Sequence, residues 1–182
     1  MNKAPSVSRD NGGPSVFRFK ATLYRHPEAE ETGFLALNIP KAVSKNLHGM
    51  TKVEGTINGH PFRAPLEPNA SAGHRLQVNK AMRRGADADE GDAVTLAILG
   101  SEPDPTVPAD LRAPLAASQE AKSLWKDLTS MGRRDWIRWI VSAKTPETRA
   151  RRVRRTVEQL SEGKRRPCCV NVYEFMLRRV QE

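Results

Sequence analysis

The sequence predicts an α+β protein in which a small N-terminal β-barrel, residues 16–102, precedes a basic C-terminal segment of three helices, residues 119–166. Three observations carry that expectation. Apolar residues alternate with a period of two before residue 100 and recur with a period near 3.6 after residue 118. Several short apolar runs in the first half are separated by turn-forming residues, and so small a sheet leaves its edges bare unless it closes. Charge is also uneven: of a net +9, Gln119 to Glu182 carries 16 Lys or Arg against 8 Asp or Glu, whereas Met1 to Ser118 carries 14 against 13.

Residues 1–15 are rich in Gly, Pro and Ser, lack periodicity and are expected to be disordered. From Val16 onward, Phe17, Phe19, Ala21 and Leu23 alternate with Arg18, Lys20 and Thr22, which turns one apolar face of a strand inward. The acidic loop His26 to Glu31 leads to a second strand over Gly33 to Ile39. Pro40 opens a helical turn carrying Val43 and Leu47, and Gly49 ends it. Val53, Gly55 and Ile57 then run into Asn58-Gly59, a pair that tolerates the positive φ of a two-residue hairpin turn. His60 to Leu66 returns, and Pro61, having no N–H, predicts that this strand begins at an edge. After a loop with Asn69, Ser71 and Gly73 come a short strand at Arg75 to Val78, a helical turn at Asn79 to Arg84, the acidic loop Asp87 to Asp92 and a buried strand, Ala93 to Leu99.

Residues 103–118 are rich in proline and read as a linker. Ser118 is a helix cap before the stripe Ala121, Leu124, Trp125 and Leu128, and Gly132 reads as its stop. Trp136, Ile137, Ile140 and Ala143 mark a second helix. Thr145, Pro146 and Glu147 open a third with the stripe Ala150, Val153, Val157 and Leu160. Residues 167–182 form a C-terminal extension whose apolar part, Val170 to Val180, is compatible with a strand or a helix.

Composition bounds the function. A hydrophobic share of 38% and a mean hydropathy of -0.60 suit a modest core, and no run approaches the roughly 20 apolar residues that span a bilayer. The start lacks the apolar centre of a signal peptide, so a cytoplasmic protein is expected. The two cysteines, Cys168 and Cys169, are adjacent, which disfavours an internal bridge and suits reduced thiols.

The most distinctive chemistry is cationic. Arg149, Arg151, Arg152, Arg154 and Arg155 are expected on the arc opposite the third helix's apolar stripe, with Lys164, Arg165 and Arg166 extending it; guanidinium groups on such a face can hold carboxylates or phosphates. Glu147 and Glu158 are spaced to pair locally with part of this charge, which would make it a solvated helix face. A second candidate is a pocket drawing on Asn79, Lys80, Arg83, Trp136 and Trp139, where core packing is the plainer reading of the tryptophans, one of them anchoring its helix to the barrel. His26, His48, His60 and His74 show no paired metal-ligand spacing, and Asp87 to Asp92 departs from a calcium loop in its glycine position and its twelfth residue, Ile98. No nucleophile elbow, phosphate-binding loop or dinucleotide fingerprint occurs, so no metal, cofactor or catalytic residue is predicted.

Two blocks resemble known bacterial sequences. Lys52 to Phe62, Leu76 to Ala81 and Gly91 to Val94 resemble a small domain of unknown function with a double-split β-barrel fold. Pro108 to Leu111, Trp136-Ile137 and Ala143 to Arg152 resemble the helical tail of the YdeI or OmpD-associated family, the bacteriocin-protection proteins. The resemblance implies a barrel and a role in envelope stress or antimicrobial-peptide tolerance, and it supplies no catalytic residues. Residues and resemblance together point to a non-enzymatic binding or adaptor protein that meets an acidic protein or anionic surface through its basic helices. Direct DNA or RNA binding through the Arg-rich helix is the alternative, and an enzyme acting on a small anionic substrate is a third reading.

Overall fold

The computed structural model describes residues 5–8, 15–27, 34–70, 73–168 and 170–181. Most of the tail expected to be disordered (1–4 and 9–14), positions 28–31 of the first acidic loop, and Ser71 fall outside them. The protein divides into two compact units, residues 1–102 with 173–182, and residues 103–172.

The first unit is an antiparallel sheet of eight strands among the described residues: β1 (Ser6–Ser8), β2 (Val16–Thr22), β3 (Tyr24–Arg25), β4 (Leu35–Ile39), β5 (Lys52–Ile57), β6 (His60–Asn69), β7 (Gly73–Val78) and β8 (Ala93–Leu99), in the order β1-β2-β8-β5-β6-β7-β4-β3. β2 and β3 are one extended run interrupted only at Leu23, and that run borders both ends of the sheet, since β2 pairs β8 while β3 pairs β4. This shared stretch curls the sheet into its barrel-like form. At the break, Leu23 bonds the turn before β8 instead of the ladder: its N–H donates to the Asp92 carbonyl at 2.9 Å and its carbonyl accepts from Gly91 at 2.8 Å.

Alternation sends Phe17, Phe19, Leu96 and Ile98 into the main core, where Leu37, Ile57, Phe62 and Leu76 meet them. Asn58 and Gly59 take φ of 48° and 79°, the turn their identities foretell. The Asn58 side chain fixes that turn further, donating to the Ala86 carbonyl at 3.0 Å and accepting from Thr95 N–H at 2.9 Å. β5 and β8 approach so closely that a Cβ at Gly55 would lie 2.1 Å from the Ala97 carbonyl oxygen.

One expectation for this unit is corrected and one is refined. Part of the tail is not disordered: Ser6–Ser8 forms β1 against β2, because the open edge of β2 supplies backbone partners that composition does not reveal. As Pro61 predicts, β6 begins with one edge open, although over its full length it lies between β5 and β7. The proline is tolerated because β6 divides its partners. Residues 60–65 pair only with β5, and β7 joins from Leu66 onward, so one flank beside Pro61 carries no strand.

Helices α1 (Lys41–Ser44, continued by a tight turn to Leu47) and α2 (Lys80–Ala86) complete the crossovers. The extension from residue 167, compatible with a strand or a helix, forms a helix that returns to the barrel. This helix is α7 (Val172–Gln181), and its Val180 packs against Val16, Ala97 and Leu99.

The second unit holds four helices among its described residues, one more than expected: α3 (Ala109–Ala117), α4 (Gln119–Asp127), α5 (Ser130–Val141) and α6 (Pro146–Ser161). α3 occupies the stretch read as a linker. Pro108 immediately precedes it, and Pro114 inside it removes one ladder bond; Leu111 and Leu115, one turn apart, are buried in the unit's core with Trp125, Trp136 and Ile140. Gly132 is not a stop. It lies in the first turn of α5, donating its N–H to Thr129 Oγ1 at 3.1 Å, so the cap is Thr129. The other caps follow the sequence: Ser118 accepts from Ala121 N–H and Thr145 from Thr148 N–H. Trp136 is wholly buried in this helical core, where the sequence reading had a tryptophan anchoring to the barrel.

Candidate functional site

α6 is the longest helix described, and its buried side is Val153, Thr156, Gln159 and Leu160, with Val157 half-buried. Ala150, expected in the stripe, is exposed. Thr156 is tolerated in that stripe because its hydroxyl donates to the Arg152 carbonyl at 2.8 Å.

The arginines of α6 do not share one outward arc. Arg149 lies four residues before Val153 and therefore one turn away on the same side as the core. Half-buried, it forms a two-pronged pair with Asp110 of α3, Nε to Oδ2 at 2.6 Å and Nη2 to Oδ1 at 3.1 Å. That bond is the main cause holding the Asp110 carboxyl below its ordinary range and raising the Arg149 guanidinium. Arg152, on the flank, donates to the Trp139 carbonyl and to Ser142 Oγ (2.8 Å), and its guanidinium lies 5.5 Å from the Trp139 ring centroid. It therefore closes the C-terminal end of α5, where helix carbonyls lack intrahelical donors.

Two more arginines do the same for α4. Arg133 donates to the carbonyls of Trp125 (3.0 Å) and Lys126 (2.9 Å), and Arg165 donates to the Asp127 carbonyl (3.0 Å) and to its Oδ2 (2.7 Å). Lys164 pairs with Glu162 at 2.8 Å; this bond, followed by the field of Arg155, lowers the Glu162 carboxyl. Sequence reasoning missed Arg133 as a cap, although it lies close after the α4 end it serves, and Asp110 as a partner, which sits 39 positions before Arg149. It also expected local neutralisation by Glu147 and Glu158, whereas the pairing carboxylates are Asp110, Asp127 and Glu162.

Arg151, Arg154, Arg155 and Arg166 remain exposed, and among the described residues they make no hydrogen bond or ion pair. The first three stand at i, i+3 and i+4, on the side of α6 away from Val153. Exposed Glu147 and Glu158 share that side, four residues before Arg151 and four after Arg154. The outward face is thus a short cationic cluster with a carboxylate at each end.

The second candidate divides between the units. Asn79, Lys80 and Arg83 belong to the barrel unit, where Asn79 caps α2 by accepting from Met82 N–H at 3.0 Å. Lys80 and Arg83 line a depression of about 360 Å³ with Arg84, Asp87, Ala88, Asp89 and Asp92. Arg83 bonds Asp89 at 2.8 Å, and three carboxylates oppose three cations, so the field is mixed and does not favour an anion. Trp136 and Trp139 lie in the helical unit, edge to face with centroids 6.0 Å apart, and are not in that lining. Among the described residues, no group of three or more His, Cys, Asp or Glu is placed to hold a metal ion, and no helix is long and apolar enough to cross a membrane.

Fold and site define an α+β protein that joins a barrel-like sheet to a compact, arginine-laced helical unit. Residues 19–98 match a domain of unknown function (DUF1905), and residues 104–163 match the family described as bacteriocin-protection, YdeI or OmpD-associated (OmdA). The barrel is thus similar to that domain and the helical segment to the YdeI or OmpD-associated family, the pairing that the sequence resembles. No curated protein matches the chain.

Proposed function

We propose that this chain is a cytoplasmic, non-enzymatic binding or adaptor protein that docks an acidic segment of another protein on the outward face of α6. The observation carrying the proposal is the arrangement of Arg151, Arg154 and Arg155, exposed and unbonded among the described residues, between Glu147 and Glu158. Like charges at i, i+3 and i+4 repel by a few tenths of a kcal/mol per pair, and a carboxylate-bearing partner relieves that repulsion. The terminal carboxylates favour a partner of mixed sign over a polyphosphate, whose uniform charge would meet both of them. The family's name attaches to bacteriocin protection; a part in antimicrobial-peptide tolerance or envelope stress belongs to this same proposal.

The test compares the full chain with an Arg151→Glu/Arg154→Glu/Arg155→Glu variant, checked for equal helicity, against a fluorescent peptide with a Glu-rich centre flanked by lysines and a 20-base-pair duplex. The peptide is expected to bind the variant at least tenfold more weakly. Equal binding to both proteins refutes the proposal. Duplex DNA bound more tightly than the peptide would assign the face to nucleic acid instead. With three phosphates neutralised, that affinity would fall on the order of 40-fold between 50 and 200 mM salt.

A further inference from the structure

The outer face of the barrel carries a feature independent of the α6 arginines. Along β2 and β8, Phe17, Phe19, Leu96 and Ile98 point inward, so Val16, Ala97 and Leu99 alternate to the outside, yet all three are buried. Val16 stands opposite Leu99, and Arg18 opposite Ala97, which makes one continuous patch across the two strands. What covers it is α7. Met176 and Val180, one turn apart on that helix, share a face; Met176 is wholly buried and Val180 packs on the patch.

Polar contacts mark both rims. Arg18 Nη2 donates to the Val180 carbonyl at 2.7 Å, satisfying a carbonyl in the last turn of α7, and Arg179 bonds Glu102 at 2.7 Å. The face therefore reads three properties of its occupant: an apolar residue that packs on the patch, a cation just before it, and a carbonyl in the last helical turn. Residues 162–171, which join α6 to α7, contain Gly163 at φ +82° and an exposed basic run, Lys164 to Arg166; α7 lies beyond both family matches. A helix beyond such a connection, docked on a face whose Arg18 lies 162 positions from Val180 in the sequence, is an arrangement that copies exchange at low cost.

We propose that the outer face of β2 and β8 is a helix-docking site filled in cis by α7, and that its partner, when α7 lifts, is the α7 of a second copy of this chain. The test uses full-length protein, a labelled peptide of residues 170–181 as the probe, and the variant Arg179→Glu/Val180→Asp, which disrupts the rim pair and the apolar contact. Hydrogen exchange should show α7 released in the variant while β5, β6 and β7 stay protected. The variant should capture the wild-type peptide at least tenfold more tightly than the wild-type chain does, and a peptide bearing the same two changes should not be captured. Wild-type protein should form a dimer as its concentration rises, which the variant does not. A variant whose α7 stays protected, a released face that captures no peptide, or a wild-type chain that remains monomeric throughout each overturns the proposal.

Discussion

Replacing Arg152 with Ala removes a guanidinium that does three things at the end of α5: it donates to the Trp139 carbonyl, donates to Ser142 Oγ and lies over the Trp139 ring. A hydrogen bond from a charged donor contributes about 1.5–3 kcal/mol, and a cation–π contact at an exposed site about 0.5–1 kcal/mol. Arg152 is half-buried, so screening places the pair of effects toward the low end, and Arg152→Ala should cost about 2 kcal/mol. Arg151, its neighbour, makes no such bond among the described residues. Arg151→Ala removes a like charge from Arg154 and Arg155 and inserts the best helix former, so its effect should be within about 0.5 kcal/mol of zero and toward stabilisation. Urea denaturation followed by tryptophan fluorescence reads both. With a slope of about 2 kcal/mol per molar, Arg152→Ala should lower the midpoint by about 1 M while Arg151→Ala leaves it in place. Equal shifts would refute the division of these arginines into architectural and outward-facing sets.

At Gly55 a methyl group would have to occupy space 2.1 Å from the Ala97 carbonyl oxygen, which is backbone and cannot rotate away, so Gly55→Ala must part β5 from β8. A loss of about 3 kcal/mol or more is expected in the same denaturation assay, and a loss under about 1 kcal/mol would contradict the close approach. The Asp110–Arg149 pair makes stability depend on acid. Because the folded Asp110 carboxyl titrates below its unfolded value, its contribution is present above about pH 4 and disappears as pH falls through the lowered folded value. Both side chains are more than a third exposed, so the effect is about 0.5 kcal/mol, and Asp110→Asn should flatten that acid slope relative to wild type.

What could be read from the sequence was local chemistry. Asn58-Gly59 specifies its turn, Ser118 and Thr145 specify helix starts, and the alternation of Phe17 and Phe19 specifies an inward face, because each signal acts within a few residues of itself. The α6 cluster was legible as composition, but its division was only partly so. The spacing of Arg149 four residues before Val153 already placed it on the core side, whereas its partner Asp110 sits 39 positions earlier on a helix hidden among prolines. Pro114 argued against α3; burial of Leu111 and Leu115 outweighs one missing ladder bond. Gly132 and β1 failed for one reason: a residue's preference says little when a neighbouring cap or strand edge supplies the missing bond. The return of α7 depended on contacts with Val16 and Arg18, the latter 162 positions from Val180, and no local pattern encodes it.

Net charge therefore overstates how much positive potential the helical unit offers a ligand. Short helices leave a large share of their carbonyls without intrahelical donors. In the second unit, arginines from elsewhere in the chain donate to those groups: Arg133 and Arg165 on the last turn of α4, and Arg152 on that of α5. A lysine could contribute charge at such an end, but a guanidinium can donate to two acceptors at once in fixed geometry, which is why arginine rather than lysine recurs at these positions. The cations that serve the fold contribute little to recognition. A binding measurement across salt should then respond to the three or four outward guanidinium groups, Arg151, Arg154, Arg155 and Arg166, and not to the eight cations that the sequence of α6 and its following loop displays.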